Sequence, residues 1–100
     1  MKLHIKCDHQ LGLDELRRRV DERVAFYVTR YPNVPIASSY RWHDANTAVG
    51  AYKGGEGTVK LHEGFVTVEL TLPFIARAFR SRIEEFVRKE MDAVLKAPAP

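Results

Sequence analysis

Near the end of this chain the apolar residues change their spacing, and few folds accommodate the change. Between Gly57 and Leu72 they alternate, as Val59, Leu61, Val66, Val68, Leu70 and Leu72. From Ile75 onward they recur every three or four positions, as Ile75, Phe79, Ile83, Phe86, Val87, Met91, Val94 and Leu95. Alternation is the mark of a strand with one buried face, and three-to-four spacing that of an amphipathic helix, so a strand pair runs into a long helix. The start of the chain does the same. Leu3, Ile5 and Cys7 alternate with Lys2, His4 and Lys6, and Leu13, Leu16, Val20, Val24, Val28 and Tyr31 then follow at helical spacing.

The first helix is expected to begin near Leu13. Gly12 would be its cap, Leu11 and Leu16 a hydrophobic staple, and Glu15 the capping-box residue. It should stop at about Tyr31, because Pro32 disfavours helical geometry in the residue before it, and residues 32–37 read as a rigid connector. Ser39 to His43 alternates as a strand, Asp44 to Asn46 as a turn, and Thr47 to Lys53 as a weaker strand. Gly54-Gly55-Glu56-Gly57 reads as a turn before two strong strands that meet at Glu63-Gly64, a connection that wants glycine at positive φ.

The order is strand, helix, four strands, helix. Hairpin succession favours an antiparallel sheet, and two helices with one apolar stripe each must bury them against it. This predicts a two-layer α+β domain of about five strands, order 1-5-4-3-2, with both helices on one face. Residues 1–96 form one domain and residues 97–100 a frayed tail. The opposite face is left open, lined by Lys2, His4, Lys6, Arg41, His43, Thr58, Lys60, His62, Thr67, Glu69 and Thr71. Tyr40 and Trp42 fall on the helix side, and Trp42, Phe79 and Phe86 are expected to fill the core.

A hundred residues, 45% of them apolar and 29% charged, suffice for one core without staples. One cysteine, Cys7, excludes an intrachain disulfide, and its place on the apolar phase of a strand suits a small hydrophobe. The N-terminus lacks the continuous apolar run of a signal peptide, and no stretch reaches membrane-spanning length, so a cytoplasmic protein is expected.

The net charge of +3 biases the chain toward anionic partners without naming one. Arg17, Arg18 and Arg19 stand near Asp14, Glu15, Asp21 and Glu22 and read as a solvated helix face. Arg77, Arg80 and Arg82 have no acid before Glu84 and sit at the helix end that the macrodipole makes less favourable for cations. With Lys6, Arg41 and Lys60 of the open face they form the candidate anion or partner surface. Phe26, Phe65 and Phe74 lie off the main apolar stripes and are the candidate apolar contacts.

No catalytic constellation emerges. The histidines lack metal-site spacing, so solvated strand histidines are the preferred reading, and neither metal nor cofactor is expected. The glycine cluster precedes a strand, whereas a phosphate loop opens a helix.

HQLGLDELRRRVDERV, Arg41-Trp42, the glycine turn followed by GTVKL, VTVELTL and RIEEFVRKEMDAVL occur in this order over about residues 3 to 95. Together they resemble the polyhydroxyalkanoic acid system proteins, a family of short bacterial proteins that accompany genes for storage-polymer metabolism. The resemblance implies a non-enzymatic accessory protein that binds the polyhydroxyalkanoate granule or a granule-associated protein. One alternative is a small carrier or enzyme gripping hydroxyacyl or fatty acyl groups in a cavity under the second helix, with Arg77, Arg80 or Arg82 at the anionic head. A weak nucleic-acid-binding domain is a further one, disfavoured because Tyr40 and Trp42 face the core. An exposed sheet edge and an uncovered sheet face predict a symmetric homodimer through one or the other.

Overall fold

The computed structural model describes residues 1–30, 40–52 and 54–96. In these, β1 (Lys2–Asp8) leads to α1 (Leu13–Arg30), and β2 (Arg41–Asp44), β3 (Thr47–Tyr52), β4 (Gly55–Leu61) and β5 (Phe65–Thr71) follow. A 3₁₀ turn (Phe74–Phe79) then runs into α2 (Arg80–Lys96). The expected connector at 32–37, the start of the Ser39 strand and the tail at 97–100 lie outside the described residues.

All five strands pair antiparallel in the order β1-β5-β4-β3-β2, as expected. The register carries the alternation across the sheet. Ile5 lies opposite Val68 and Val68 opposite Val59, so the apolar residues of neighbouring strands share one face. On that face Ile5, Leu61, Val66 and Val68 meet Leu16 and Val20 of α1 and Met91 and Val94 of α2. Ile5, Leu16 and Val66 are fully enclosed. Burial of that kind stabilises by about 1.5–3 kcal/mol per side chain. Trp42 and Tyr40 pack against this core from its β2 side.

The hairpin between β4 and β5 turns at Gly64, whose φ of +87° suits a residue without Cβ. His9 ties this hairpin to the turn before α1. Its Nδ1 accepts from Leu11 N–H at 3.0 Å, which leaves Nε2–H to donate to the His62 carbonyl at 2.8 Å.

Several local expectations are corrected. The glycine cluster is mostly strand, since β4 begins at Gly55 and only Gly54, at φ +80°, makes the turn. Gly57 packs closely on β5, where a Cβ would come within 3.2 Å of the Leu70 side chain and oblige it to shift by a few tenths of an ångström. Glu15 does not close a capping box. Its carboxylate accepts from Arg18 and Arg19 instead, since two guanidiniums at helical spacing outcompete one backbone amide. The second helix does not run from Ile75. Without a capping side chain the first stretch winds as a 3₁₀ turn, with Ala76 N–H donating to the Pro73 carbonyl at 3.0 Å, and α-geometry begins at Arg80.

Phe79 and Phe86 do not fill the core; both are more than half exposed. The reason is length and offset. The helices run antiparallel, as Arg19 against Val94 and Leu95, Arg23 against Glu90, and Tyr27 against Phe86 show. Only the first half of α1 and the second half of α2 carry buried residues. The other halves form a tip that the sheet does not cover.

Candidate functional site

Two surfaces contain the residues singled out in the sequence. The first is the open sheet face. The register places Lys2, His4 and Lys6 of β1, Thr67, Glu69 and Thr71 of β5, Thr58 and Lys60 of β4, and Arg41 of β2 there, as the alternation requires. Glu69 neutralises part of it, 3.8 Å from His4 and 3.9 Å from Lys60. Thr67, between Lys6 and Lys60 on adjacent strands, is buried despite lying on this face. Phe65 belongs here too: its ring stacks on His62 with centroids 4.3 Å apart, and Lys6 Nζ lies 4.6 Å from its centre. Arg41 borders a shallow depression of about 470 Å³, lined also by Val49, Ala51, Glu56 and Thr58.

The second surface is the helical tip. Phe74 and Ile75 keep 75% and 81% of their surface in solvent, Phe79 and Phe86 53% and 54%, and Phe26 44%. Phe79, Ile83 and Phe86 share a helix side by spacing, and Phe86 meets Tyr27 edge-on at 6.5 Å. Arginines lie against two of these rings. Arg77 lies 5.3 Å from the Phe74 ring centre, and Arg23 and Arg30 lie 4.7 and 6.0 Å from that of Phe26. Arg80 and Arg82 are exposed on the first turn of α2. Arg77, Arg80 and Arg82 therefore belong with Phe74, on a different surface from Lys6, Arg41, Lys60 and Phe65, while Phe26 borders a groove with Glu22, Arg23, Ala93 and Val94.

The Arg17–Arg19 run is not a solvated face throughout. Arg19 is buried, with Nη1 donating to the Val94 carbonyl at 3.0 Å and Nε to Glu15 at 2.9 Å. It satisfies carbonyls left open at the end of α2. Arg17 reaches the other way, 4.5 Å over the Trp42 ring. Asp21 Oδ1 accepts from both Tyr40 Oη at 2.7 Å and Trp42 Nε1 at 2.9 Å, so the edge strand is fastened to α1 through polar groups. Burial, and then the Asp21 hydrogen bond, push the Tyr40 phenol up.

Between the helices Arg23 Nε donates to Glu90 at 2.7 Å. Burial raises the Glu90 carboxyl, but hydrogen bonds from Arg23 and Tyr27 outweigh it and leave the group below its usual value. Burial first, and the Glu90 hydrogen bond second, take the Tyr27 phenol to about 12. Burial likewise pushes the Cys7 thiol up, consistent with a packing role.

Among the described residues no group of three or more His, Cys, Asp or Glu side chains is placed to hold a metal ion. No described helix is long and apolar enough to cross a membrane. The chemistry within reach of both surfaces is recognition of charged or apolar partners.

No curated protein and no solved structure matches the chain. A family model does match, that of the polyhydroxyalkanoic acid system proteins, over residues 3–95. That range takes in the whole sheet except Lys2 and nearly all of both helices, and it agrees with the resemblance carried by the sequence motifs. The chain belongs to the polyhydroxyalkanoic acid system protein family.

Proposed function

We propose that the protein is a non-enzymatic accessory protein of the polyhydroxyalkanoate system that adheres to the storage granule through its helical tip. One observation supports this above the others: Phe74, Ile75, Phe79 and Phe86 stand substantially exposed along the 3₁₀ turn and the first half of α2, with Phe26 exposed on the second half of α1. Exposed large apolar groups gathered in this way mark sites of association, whereas single ones are ordinary. A polyester granule is an apolar surface, and adhesion buries these side chains without any change in the fold.

The acyl-carrier alternative has less support. The space between sheet and helices is filled by Ile5, Leu16 and Val66, and Arg77, Arg80 and Arg82 are exposed on the tip, away from that space.

Sedimentation with purified granules tests the reading. Wild-type protein is expected in the pellet, and a Phe74→Ser/Phe79→Ser variant should lose about tenfold in affinity per phenylalanine removed. Recovery of the wild type in the supernatant at physiological salt would end this reading.

A further inference from the structure

Of the ten arginines of this chain, Arg17 lies over the Trp42 ring and Arg41 on the open sheet face, neither in an ion pair among the described residues, and the other eight fall into two groups. Arg18, Arg19, Arg23 and Arg88 are paired with Glu15, Glu22, Glu90 or Glu84. Arg30, Arg77, Arg80 and Arg82 make no ion pair among the described residues; Arg30 and Arg77 lie 6.0 and 5.3 Å from the Phe26 and Phe74 ring centres, and exposed Arg80 and Arg82 follow exposed Phe79 along the chain. Arg30 comes level with the Ile83 turn by the helix register, and the other three occupy the 3₁₀ turn and the first turn of α2. Uncompensated positive charge and uncovered apolar surface thus coincide.

The position of Arg80 and Arg82 is also unfavourable within the molecule. α2 has no acid in its first turn, where the helix dipole favours negative charge, and carries Arg80 and Arg82 there instead. Glu84 and Glu85 are the nearest acids along the chain, and Glu84 is engaged by Arg88 at 3.4 Å. An external anion would relieve both conditions. Phenylalanines ringed by arginines are the composition of an element lying in a lipid interface, with rings at the acyl boundary and guanidiniums at headgroup depth.

We propose that the tip recognises an anionic lipid surface, the arginines selecting charge and the apolar side chains holding it. This rests on the granule-adhesion reading and specifies it: the granule boundary engaged is one bearing negatively charged amphiphiles. Each arginine near such a surface contributes about fivefold in affinity, so three together contribute about a hundredfold. The attraction is screened by salt over a length of about 10 Å at 0.1 M.

Flotation with phosphatidylcholine vesicles, with and without phosphatidylglycerol, tests this, alongside lipid-stripped polymer particles. The wild type should bind the anionic vesicles at least about tenfold more tightly, and added salt should weaken that binding. An Arg77→Gln/Arg80→Gln/Arg82→Gln variant, altered only at exposed positions, should keep its circular dichroism and melting temperature and lose the preference. Equal binding to both vesicle types, or a triple variant that binds like the wild type, overturns the proposal. So does equally tight binding to a single-stranded oligonucleotide, which would make the arginines general phosphate contacts. Wild-type binding to stripped polymer without any vesicle preference sinks this inference and leaves granule adhesion standing. Failure to bind either polymer or vesicles removes both.

Discussion

Arg19 illustrates how a single side chain takes its role from a distant element. Its charge is met by Glu15 within α1, but its buried position comes from the Val94 and Leu95 carbonyls, 75 and 76 residues away in sequence. Arg19→Ala removes three hydrogen bonds and the packing of a buried stem, and leaves the Val94 carbonyl unsatisfied. Urea denaturation should show a loss of about 1–3 kcal/mol. Glu15 makes a prediction in pH. Hydrogen bonds from Arg18 and then Arg19 lower its carboxyl from 4.5 to about 2 in the folded chain. A depressed carboxyl stabilises the fold above its unfolded value, and that contribution is lost as the pH falls toward the folded one. Glu15→Gln should therefore flatten the fall in stability between pH 4.5 and about 2, while the wild type retains it. A melting-temperature series over this range, compared between the two proteins, provides the check. Neither role is visible in the run Arg17-Arg18-Arg19 taken alone, where three arginines among acids look equivalent.

At the scale of elements, the connections decide how accurately the strands are aligned. The β4–β5 hairpin is held by the positive φ of Gly64 and by the His9 side chain and backbone, the latter donating to the Gly64 carbonyl at 2.9 Å. Gly64→Ala places a Cβ in open space but in a left-handed backbone conformation, so the cost is conformational and should be about 1–2 kcal/mol by denaturation. The two sheet edges differ in kind. β2 has four residues, an irregular register between Trp42 and Asp44, and aromatic side chains already engaged by Asp21 and Arg17. β1 has seven residues in unbroken pairing with β5 alone. Leu72 and Met1 exchange backbone hydrogen bonds, and the alternation that follows turns the amides of Lys2, His4, Lys6 and Asp8 away from β5. Antiparallel pairing of β1 with its copy about Ile5 would set Lys2 against Asp8 twice. We propose self-association through this edge, not through β2. Light scattering at tens of micromolar should give the mass of two chains, and Lys6→Pro, which removes an outward amide, should return the mass of one, whereas Lys6→Ala, which removes only the ammonium beside Phe65, should keep the mass of two.

For the whole molecule the governing fact is that two long helices share a sheet shorter than their combined reach. Helices of 18 and 17 residues are about 27 and 26 Å long, and offset packing leaves half of each beyond the core. The tip should accordingly tolerate polar substitution. Phe79→Ser is expected to change stability by no more than about 0.5 kcal/mol, whereas Leu16→Ala should cost about 2–5 kcal/mol, as paired thermal melts would show. The sequence by itself determined the order of elements, the antiparallel sheet, the strand sequence 1-5-4-3-2 and most of the open face, His43 falling instead at the register irregularity of β2. The elements and the open face follow from periods of two and of about three and a half, which are local properties of the backbone, and the strand sequence from hairpin succession with the right-handed crossover preference. Periodicity names the apolar side of a helix but is silent on how much of that side a neighbour covers. Ile75, Phe79 and Phe86 obey the same spacing as Met91 and Val94, and only the placement of α2 against β1 and α1 separates exposed from buried. The tertiary structure alone decided that Arg30 and Arg77, which make no ion pair among the described residues, lie against phenylalanine rings left exposed outside the core, because that outcome depends on helix offset, a quantity set by packing between segments far apart in the chain.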